Sequence, residues 1–144
     1  MYGLGQIVGC YAGMLLSHAM FDLPQYEGST HIRTGLGQWI AEAVATAGLI
    51  GVVVGYRQAS DAPWTVAACI GAPSWFTASI SFANPAITIA RSLSDTFAGI
   101  RPGDVPAFIG AQFVGALGGR EIERGLFAST WRKSLNDGHF LDLR

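Results

Sequence analysis

Long apolar runs alternate with short polar breaks along the chain, and the runs have the lengths that membrane helices require. Residues 1–21 contain no Asp, Glu, Lys or Arg, and residues 38–56 carry Glu42 as their one charged side chain. Residues 62–90 form an uncharged run of 29, and residues 105–119 form a shorter run of 15. Because an α-helix needs about 20 apolar residues to cross a bilayer, this pattern predicts three or four spanning helices.

The run of 29 residues is too long for one crossing and is interrupted by Asn84 and Pro85. Proline lacks an N–H and clashes with the preceding helical turn, but both costs vanish at the first position of a new helix. Asparagine is a favoured N-cap residue. We therefore predict a helix over 62–78, an irregular stretch over 79–83 and a short new helix through 87–96. Irregular backbone at membrane depth lines a wet cavity or is covered by protein, so the break predicts a pore or a binding site.

Composition supports a membrane protein and excludes several other classes. Hydrophobic residues make up 50% of the chain, charged residues 13%, and the mean hydropathy is +0.34, whereas soluble domains carry about 25% charge. Nine basic and ten acidic residues leave a net charge of −1, which provides no basic surface for nucleic acid. Cys10 and Cys69 have no metal-ligand spacing, and the sequence holds no catalytic set or phosphate-binding loop. We predict no catalytic residues, no metal and no cofactor, and hence no enzyme.

The distribution of basic residues predicts how the spans are oriented. One side of the membrane would hold six of the nine basic residues: Arg57, Arg120, Arg124, Arg132, Lys133 and Arg144. The other side would hold Arg33, Arg91 and Arg101. Since cytoplasmic loops carry the excess of Lys and Arg, the chain is expected to be a multi-pass protein of the cell (inner or plasma) membrane with a cytoplasmic C-terminal tail.

The first and last apolar runs share a short pattern of identical residues. At a constant offset of 106 positions, the matching pairs are Gln6 and Gln112, Val8 and Val114, Gly9 and Gly115, and Gly13 and Gly119. Small residues four apart favour close packing of membrane helices. If the match is a true repeat, the two runs are equivalent members of two repeats with opposite orientations in the membrane, as in many transporters and channels.

The segment from Ser81 to Arg91, SFANPAITIAR, resembles the Asn-Pro-Ala half-helix of the major intrinsic protein family, the aquaporins and glycerol facilitators. Residues 41–46, AEAVAT, are similar to the glutamate-bearing segment that opens each repeat of that family. Residues 105–112, VPAFIGAQ, are similar to its third-helix segment. The resemblance extends from about Tyr2 to Leu117, in the order third helix of repeat one followed by repeat two.

The resemblance implies an all-α membrane fold of the aquaporin type, with three or four transmembrane helices and one re-entrant half-helix. Family members have six spans and two half-helices, so the chain is expected to be an incomplete six-helix channel, truncated or frame-disrupted. Residues 1–119 would form the partial channel domain, and residues 120–144 a divergent cytoplasmic tail. The helix of the last run is expected to be interrupted by residues 119–124.

The implied function is a passive channel for small uncharged solutes, namely water, glycerol-like polyols and arsenite. The implied partners are the lipid bilayer, these solutes and, in a complete channel, further copies of the chain in a homotetramer. Two alternatives stay open: a non-functional channel fragment, and a fragment of a secondary transporter, whose broken helices also carry ion sites. Apart from Glu42 the spans lack acidic groups for ion coupling. Solute flux that ignores pH and sodium gradients would favour the channel.

The resemblance also assigns candidate site residues. Asn84, Pro85 and Ala86 match the pore motif, and Ile87 stands where family members usually have the arginine of their constriction. The other constriction positions fall on Ala72 and Ser81. These three constriction residues are uncharged and not aromatic, which implies a wide, weakly polar filter for glycerol-like solutes or arsenite.

Four further side chains have a predicted role or partner. Arg91 lies one helical turn beyond the constriction, where it would either replace the missing charge or form an i,i+4 pair with Asp95. The resemblance implies that Glu42 gives structural support by accepting hydrogen bonds from re-entrant backbone N–H groups, together with Gln6 and Gln112, and the alternative role for Glu42 is a proton relay. The histidines are expected at the surface or in loops: His18, His31 and His139.

Overall fold

The computed structural model describes residues 2–55, 62–72, 75 and 77–136. Its helices are α1 (Tyr2–Met20), α2 (Leu36–Gly55), α3 (Ala62–Gly71), α4 (Pro85–Arg91) and α5 (Val105–Asn136), and a short 3-10 turn at Pro102–Asp104 precedes α5. These ranges contain no strand, which confirms the all-α prediction. Arg57, Arg144, His139 and residues 137–144 of the predicted tail lie outside the described residues.

One helix in the described part of the chain, over Leu36–Val54, is long and apolar enough to cross a membrane by length and composition. Only 17% of this window is buried inside the molecule, unlike the core helix of a soluble protein. Three or four such helices were predicted. The helix α1 does not meet this criterion, because four glycines, Gln6, Ser17 and His18 reduce its apolar character. The helix α3 does not meet it because it is only 10 residues long.

The end of α1 is set by a left-handed residue. Asp22 has φ 53°, and the N–H of Leu23 donates to the carbonyl of His18 at 2.9 Å. This six-to-one bond over a left-handed residue is a Schellman ending, for which Asp is a tolerated substitute for glycine. The helix therefore ends before Asp22, and the chain enters the loop that ends at Gly35.

Close packing of α2 on α5 forms the frame of the molecule. A Cβ added at Gly115 would lie 2.2 Å from the Ala43 carbonyl oxygen, and one at Gly119 would lie 2.5 Å from that of Ala47. Since real side chains cannot approach so closely, glycine is required at both positions. Each contact advances four residues along both helices, so α2 and α5 run parallel.

A small core joins α4, α5 and the segment before each of them. Phe82, Ile100 and Phe108 are buried together, and the rings of Phe82 and Phe108 lie 5.6 Å apart between centroids with a tilt of 50°. Tilted aromatic pairs at this distance are favourable beyond their buried area. This core holds the half-helix α4 against α5.

The helix predicted over residues 62–78 is shorter in the structure. It ends at Gly71 as α3 and is followed by a turn at Ala72. Pro73 explains this early end, because the residue before a proline is disfavoured in the helical conformation. The predicted irregular stretch over 79–83 is confirmed, since residues 79–84 are not helical.

The half-helix and the last helix differ from the prediction at their ends. α4 begins at Pro85 as predicted but ends at Arg91, where Ser92 caps it by donating both its N–H and its hydroxyl to the Ile89 carbonyl. The prediction that residues 119–124 interrupt the last helix was wrong, because α5 continues through them to Asn136. Arg120, Glu121 and Arg124 are exposed on this helix, where Arg124 pairs with Glu121 at 2.8 Å.

Candidate functional site

The stretch before α4 has an unusual backbone. Ile80, Ser81 and Ala83 have φ values of 62°, 53° and 47°. The left-handed region is uncommon for residues other than glycine, and for a β-branched residue such as Ile80 it is a genuine outlier. A conformation of this kind costs about 1–3 kcal/mol per residue and persists only where the surroundings impose it.

The carboxylate of Glu42 imposes this left-handed backbone conformation. This side chain is fully buried on α2, and its two oxygens accept the N–H of Phe82 at 3.2 Å and the N–H of Ala83 at 2.6 Å. Successive N–H groups in such a turn form a concave site for an anion. With these N–H groups facing α2, the carbonyl oxygens of 81–83 accept no hydrogen bond from the residues that the structure describes.

Gln112 connects α5 to the same network. Its Nε2 donates to Glu42 at 2.8 Å and to the hydroxyl of Thr88 at 2.8 Å. The Thr88 hydroxyl in turn donates to the Asn84 carbonyl at 2.9 Å. Gln112 therefore ties the carboxylate on α2 to the first turn of α4.

Asn84 is the N-cap of α4. Its Oδ1 accepts the N–H of Ala86 at 2.8 Å, and Pro85 follows at the first helical position. Because the oxygen of the side chain is used by the cap, the amide NH2 remains as a donor. The polarity of this junction comes from individual groups rather than from a helix dipole, since α4 has only seven residues.

A cavity of about 90 Å³ adjoins this junction. Ser81, Asn84 and Ile87 line it together, facing apolar residues of α2 and α3. At ~30 Å³ for each water of liquid volume, it has room for about three water molecules. The structure thus brings two of the three constriction candidates together with Asn84. Ala72, the third, is exposed at the turn after α3 and is not among the lining residues.

A second cavity, of about 320 Å³, lies between α1 and α4. Ile87 and Arg91 line it from α4, and Cys10, Met14 and His18 line it from α1. Ile87 belongs to both cavities and therefore separates them. Asn84 is among the residues that line the smaller cavity, and Arg91 is among those that line the larger one.

Arg91 does not form the pair with Asp95 that the spacing allowed. Its guanidinium carbon lies 4.6 Å from the centroid of the Phe82 ring, and Nη1 donates to the Ala98 carbonyl at 3.4 Å. Asp95 instead accepts the N–H of Thr30 at 2.8 Å and its hydroxyl at 3.1 Å. The hydrogen bond from the Thr30 N–H contributes most to lowering the pKa of Asp95, and the bond from the Thr30 hydroxyl lowers it further.

Arg33 is a site residue that the sequence did not reveal. It is 2% exposed, although it lies in the loop between α1 and α2, and it donates to the carbonyls of Ser79, Phe97 and Gly99 at 3.3, 3.0 and 2.7 Å. Its guanidinium lies 5.2 Å from the Phe82 ring centroid. Burial, followed by the charge of Arg91, lowers the pKa of Arg33. A single basic residue in a polar loop carries no signal of such a role.

His18 was expected at the surface, and this prediction was wrong. It is buried at the end of α1, where one ring nitrogen bonds to the Pro24 carbonyl and Nε2 lies 2.7 Å from the hydroxyl of Ser94. The Schellman ending of α1 folds the chain back over the ring, which explains the burial. Gln6 is exposed, and no side-chain hydrogen bond links it to the described residues.

The structure therefore defines an all-α protein in which a broken segment restarts as a half-helix at an Asn-Pro junction, supported by a buried glutamate from a membrane-type helix. The sequence is 49% identical over 118 residues to the aquaglyceroporin AqpS of Rhizobium meliloti (strain 1021), a match that covers 81% of this chain and 51% of the relative. The chain belongs to the aquaporin and glycerol facilitator family and is a membrane protein.

The chain spans about half the length of the curated relative it matches. No protein-family model matches the sequence, and no solved structure matches it.

Proposed function

We propose that the chain forms part of a passive channel for small uncharged solutes, with the junction at Asn84 as one wall of the path. The observation that carries the proposal is the turn held by Glu42: two of its N–H groups donate to the carboxylate, and its carbonyls at 81–83, which accept no hydrogen bond from the described residues, adjoin a cavity. The family relationship to an aquaglyceroporin supports the same conclusion.

The polar groups of this wall suit neutral solutes that carry hydroxyls. The carbonyls of 81–83 can accept hydrogen bonds and the Asn84 amide can donate them, so a polyol or arsenous acid can exchange part of its hydration shell for protein groups. An ion gains too little from so few neutral dipoles to offset its desolvation. Because Ile87 and Ser81 stand where larger or charged residues would narrow the path, we infer that the path admits glycerol-like solutes and arsenite in addition to water.

A transporter that couples solute to an ion is less consistent with this geometry. The carboxylate of Glu42 already accepts two backbone N–H groups and the amide of Gln112. It therefore has little capacity left to bind and release a coupling ion. A complete channel, with residues beyond this chain and a tetrameric state, is likewise proposed.

Reconstitution of the chain in lipid vesicles tests the proposal. Light scattering after a glycerol or arsenite gradient should show flux above that of protein-free vesicles, insensitive to pH and sodium gradients. Ile87→Trp, which fills the position shared by both cavities, should abolish the flux. Ile89→Trp is the matched control, because Ile89 lies on the same helix, is 39% exposed and lines neither cavity.

Three results would overturn the proposal. Equal flux in the Ile87→Trp and wild-type proteins would show that the solute path does not pass Ile87. Flux driven by a sodium or proton gradient would favour the transporter. No flux from wild-type protein of normal helix content would show that the chain alone is an inactive fragment.

A further inference from the structure

Two arginine side chains lie against one buried aromatic ring. The guanidinium carbon of Arg33 is 5.2 Å from the centroid of the Phe82 ring, and that of Arg91 is 4.6 Å from the same centroid. Phe82 is buried, and cation–π contacts are strongest where water is excluded. The ring therefore connects the loop between α1 and α2 with the arginine that lines the larger cavity.

A short backbone segment connects the same two side chains. Arg33 donates to the carbonyls of Phe97 at 3.0 Å and Gly99 at 2.7 Å. Arg91 donates to the carbonyl that lies between these two in the chain, that of Ala98, at 3.4 Å. Arg33 thus holds the backbone on each side of the group that accepts the Arg91 hydrogen bond.

Arg33 itself is fixed by contacts that do not involve Arg91. Its N–H donates to the Asp104 carboxylate at 2.9 Å, and its Nη1 donates to the Ser79 carbonyl at 3.3 Å. The Arg33 side chain forms no ion pair with a carboxylate of the described residues, and burial of a charge without such a partner is costly. A costly local feature of this kind is typical of a residue with a functional role.

The two guanidinium groups also repel each other. Burial first, and then the charge of Arg91, lower the pKa of Arg33. Arg33 lines neither cavity, whereas Arg91 lines the larger one. Because like charges repel, a position of the Arg91 guanidinium nearer to Arg33 is disfavoured, which supports its placement at the cavity.

We propose that Arg33 is a positioning residue for Arg91, whose charge then excludes protons and cations from the larger cavity. Arg33 acts by fixing the two groups that Arg91 contacts, namely the Phe82 ring and the Ala98 carbonyl. The exclusion of cations rests on the proposed function, whereas the placement of Arg91 does not. Lysine cannot replace Arg33 in this role, since it lacks the planar fork of donors.

Chemical modification of arginine reports the placement without any measurement of flux. Phenylglyoxal reacts with accessible guanidinium groups, and peptide mass spectrometry of the full chain gives the rate at each arginine. In the Arg33→Lys protein the charge remains but its contacts are lost, so Arg91 should react about threefold faster than in wild type, as expected for the loss of one cation–π contact. Arg120, which is exposed on α5, is the internal reference and should keep its rate.

Arg101→Lys is the matched control. Arg101 precedes α5, its side chain is 45% exposed, and it pairs with Asp104 rather than with the backbone beside Ala98. This variant should leave the modification rate of Arg91 at the wild-type value.

Proton leak in lipid vesicles tests the consequence for selectivity. Arg33→Lys should raise the leak several-fold without lowering glycerol flux, as we expect for Arg91→Ala. Because Arg33 acts through Arg91, the double variant should leak no more than Arg91→Ala alone. A general loss of packing would instead add to the leak in both backgrounds.

Phe82→Leu keeps the test decisive if the Arg33→Lys protein does not fold. This change removes the ring but leaves an apolar side chain and the carbonyl acceptors of Arg33 in place. Arg91 should again react faster than in wild type, while Arg120 keeps its rate.

The proposal fails if Arg91 reacts at the wild-type rate in folded Arg33→Lys protein or, where that variant does not fold, in Phe82→Leu. It also fails if the double variant leaks more than Arg91→Ala, since Arg33 would then act independently. Absence of glycerol flux from the wild-type chain would overturn the proposed function alone, and the modification rates would still decide the placement of Arg91.

Discussion

The Glu42 carboxylate accepts the N–H of Ala83 at 2.6 Å across 41 positions of sequence. Ala83 is left-handed, with φ 47°, directly before the cap of the half-helix. The contact therefore fixes which way the backbone groups before α4 face. Four other relationships in the molecule give further predictions.

Replacement of Glu42 by Gln should destabilise the protein and reduce flux. The amide can accept one of the two backbone N–H groups and presents its own NH2 to the other, so one hydrogen bond to a charged group is lost, about 1.5–3 kcal/mol. Thermal unfolding in detergent and vesicle flux measure the two effects. Glu27→Gln, in the exposed loop, is the control. A Glu42→Gln protein with wild-type unfolding temperature and flux would show that the turn stands without the carboxylate.

Substitutions of Asn84 should separate its two roles. Asn84→Ser keeps a capping oxygen but loses the amide NH2, so we expect stability within about 0.5 kcal/mol of wild type and a several-fold loss of glycerol flux. Asn84→Ala loses the cap as well and should cost about 1 kcal/mol. Unfolding curves and vesicle swelling report these effects. Wild-type flux in the Asn84→Ser protein would show that the Asn84 amide has no role in solute passage.

Gly115→Ala should destabilise the α2–α5 contact. The added methyl would lie 2.2 Å from the Ala43 carbonyl oxygen, and overpacking of this kind costs about 1–3 kcal/mol. Gly110→Ala is the control on the same helix, because its Cβ meets nothing within 4 Å. This variant should be neutral or more stable, since alanine favours a helix over glycine by up to about 1 kcal/mol. Equal effects of the two variants in thermal unfolding would contradict the close contact.

Arg91→Ala should raise the leak of protons and cations while leaving glycerol flux unchanged or higher. Its guanidinium lines the larger cavity and has no acidic ion-pair partner among the described residues, so it opposes cations there. Arg91→Lys keeps the charge, so this variant should remain impermeable to protons and cations. Vesicles with an internal pH dye measure the leak. An Arg91→Ala protein as tight as wild type would exclude Arg91 from ion selection.

Acid should weaken the loop connection at Asp104. Burial alone would raise the pKa of this carboxyl, but hydrogen bonds from Arg101 at 2.8 Å and from the N–H of Arg33 at 2.9 Å lower its pKa overall. A lowered folded pKa means that the stabilisation is complete above the unfolded value near 3.9. It is lost as pH falls through the folded pKa.

Unfolding temperatures measured from pH 6 to pH 2 test this expectation. Asp104→Asn should be less stable at pH 6 and should show a flatter acid slope than wild type. Arg101→Ala should move the acid midpoint to higher pH, because the carboxyl loses one of the bonds that lower its pKa. The same acid slope in Asp104→Asn and wild type would assign the loss of stability to other groups.

Some contacts could not be inferred from local patterns. His18 and Ser94 are 76 positions apart, and Arg33 reaches Ser79, Phe97 and Gly99 across 46 to 66 positions. The short spacing between Arg91 and Asp95 suggested a pair, but Thr30 from a distant loop binds the carboxylate instead. A one-turn spacing gives proximity only while the helix continues, and α4 ends at Arg91.

The sequence by itself determined the helical class, the break before Asn84 and the carboxylate placed in a membrane-type helix. These features depend on chemistry that acts within a few residues: an apolar run that needs lipid, a proline without an N–H and an asparagine that caps. The tertiary structure alone decided which N–H groups Glu42 accepts, that Ile87 separates two cavities and that Arg33 is buried. Each of these requires groups far apart in the chain to meet, and their meeting depends on how the helices pack.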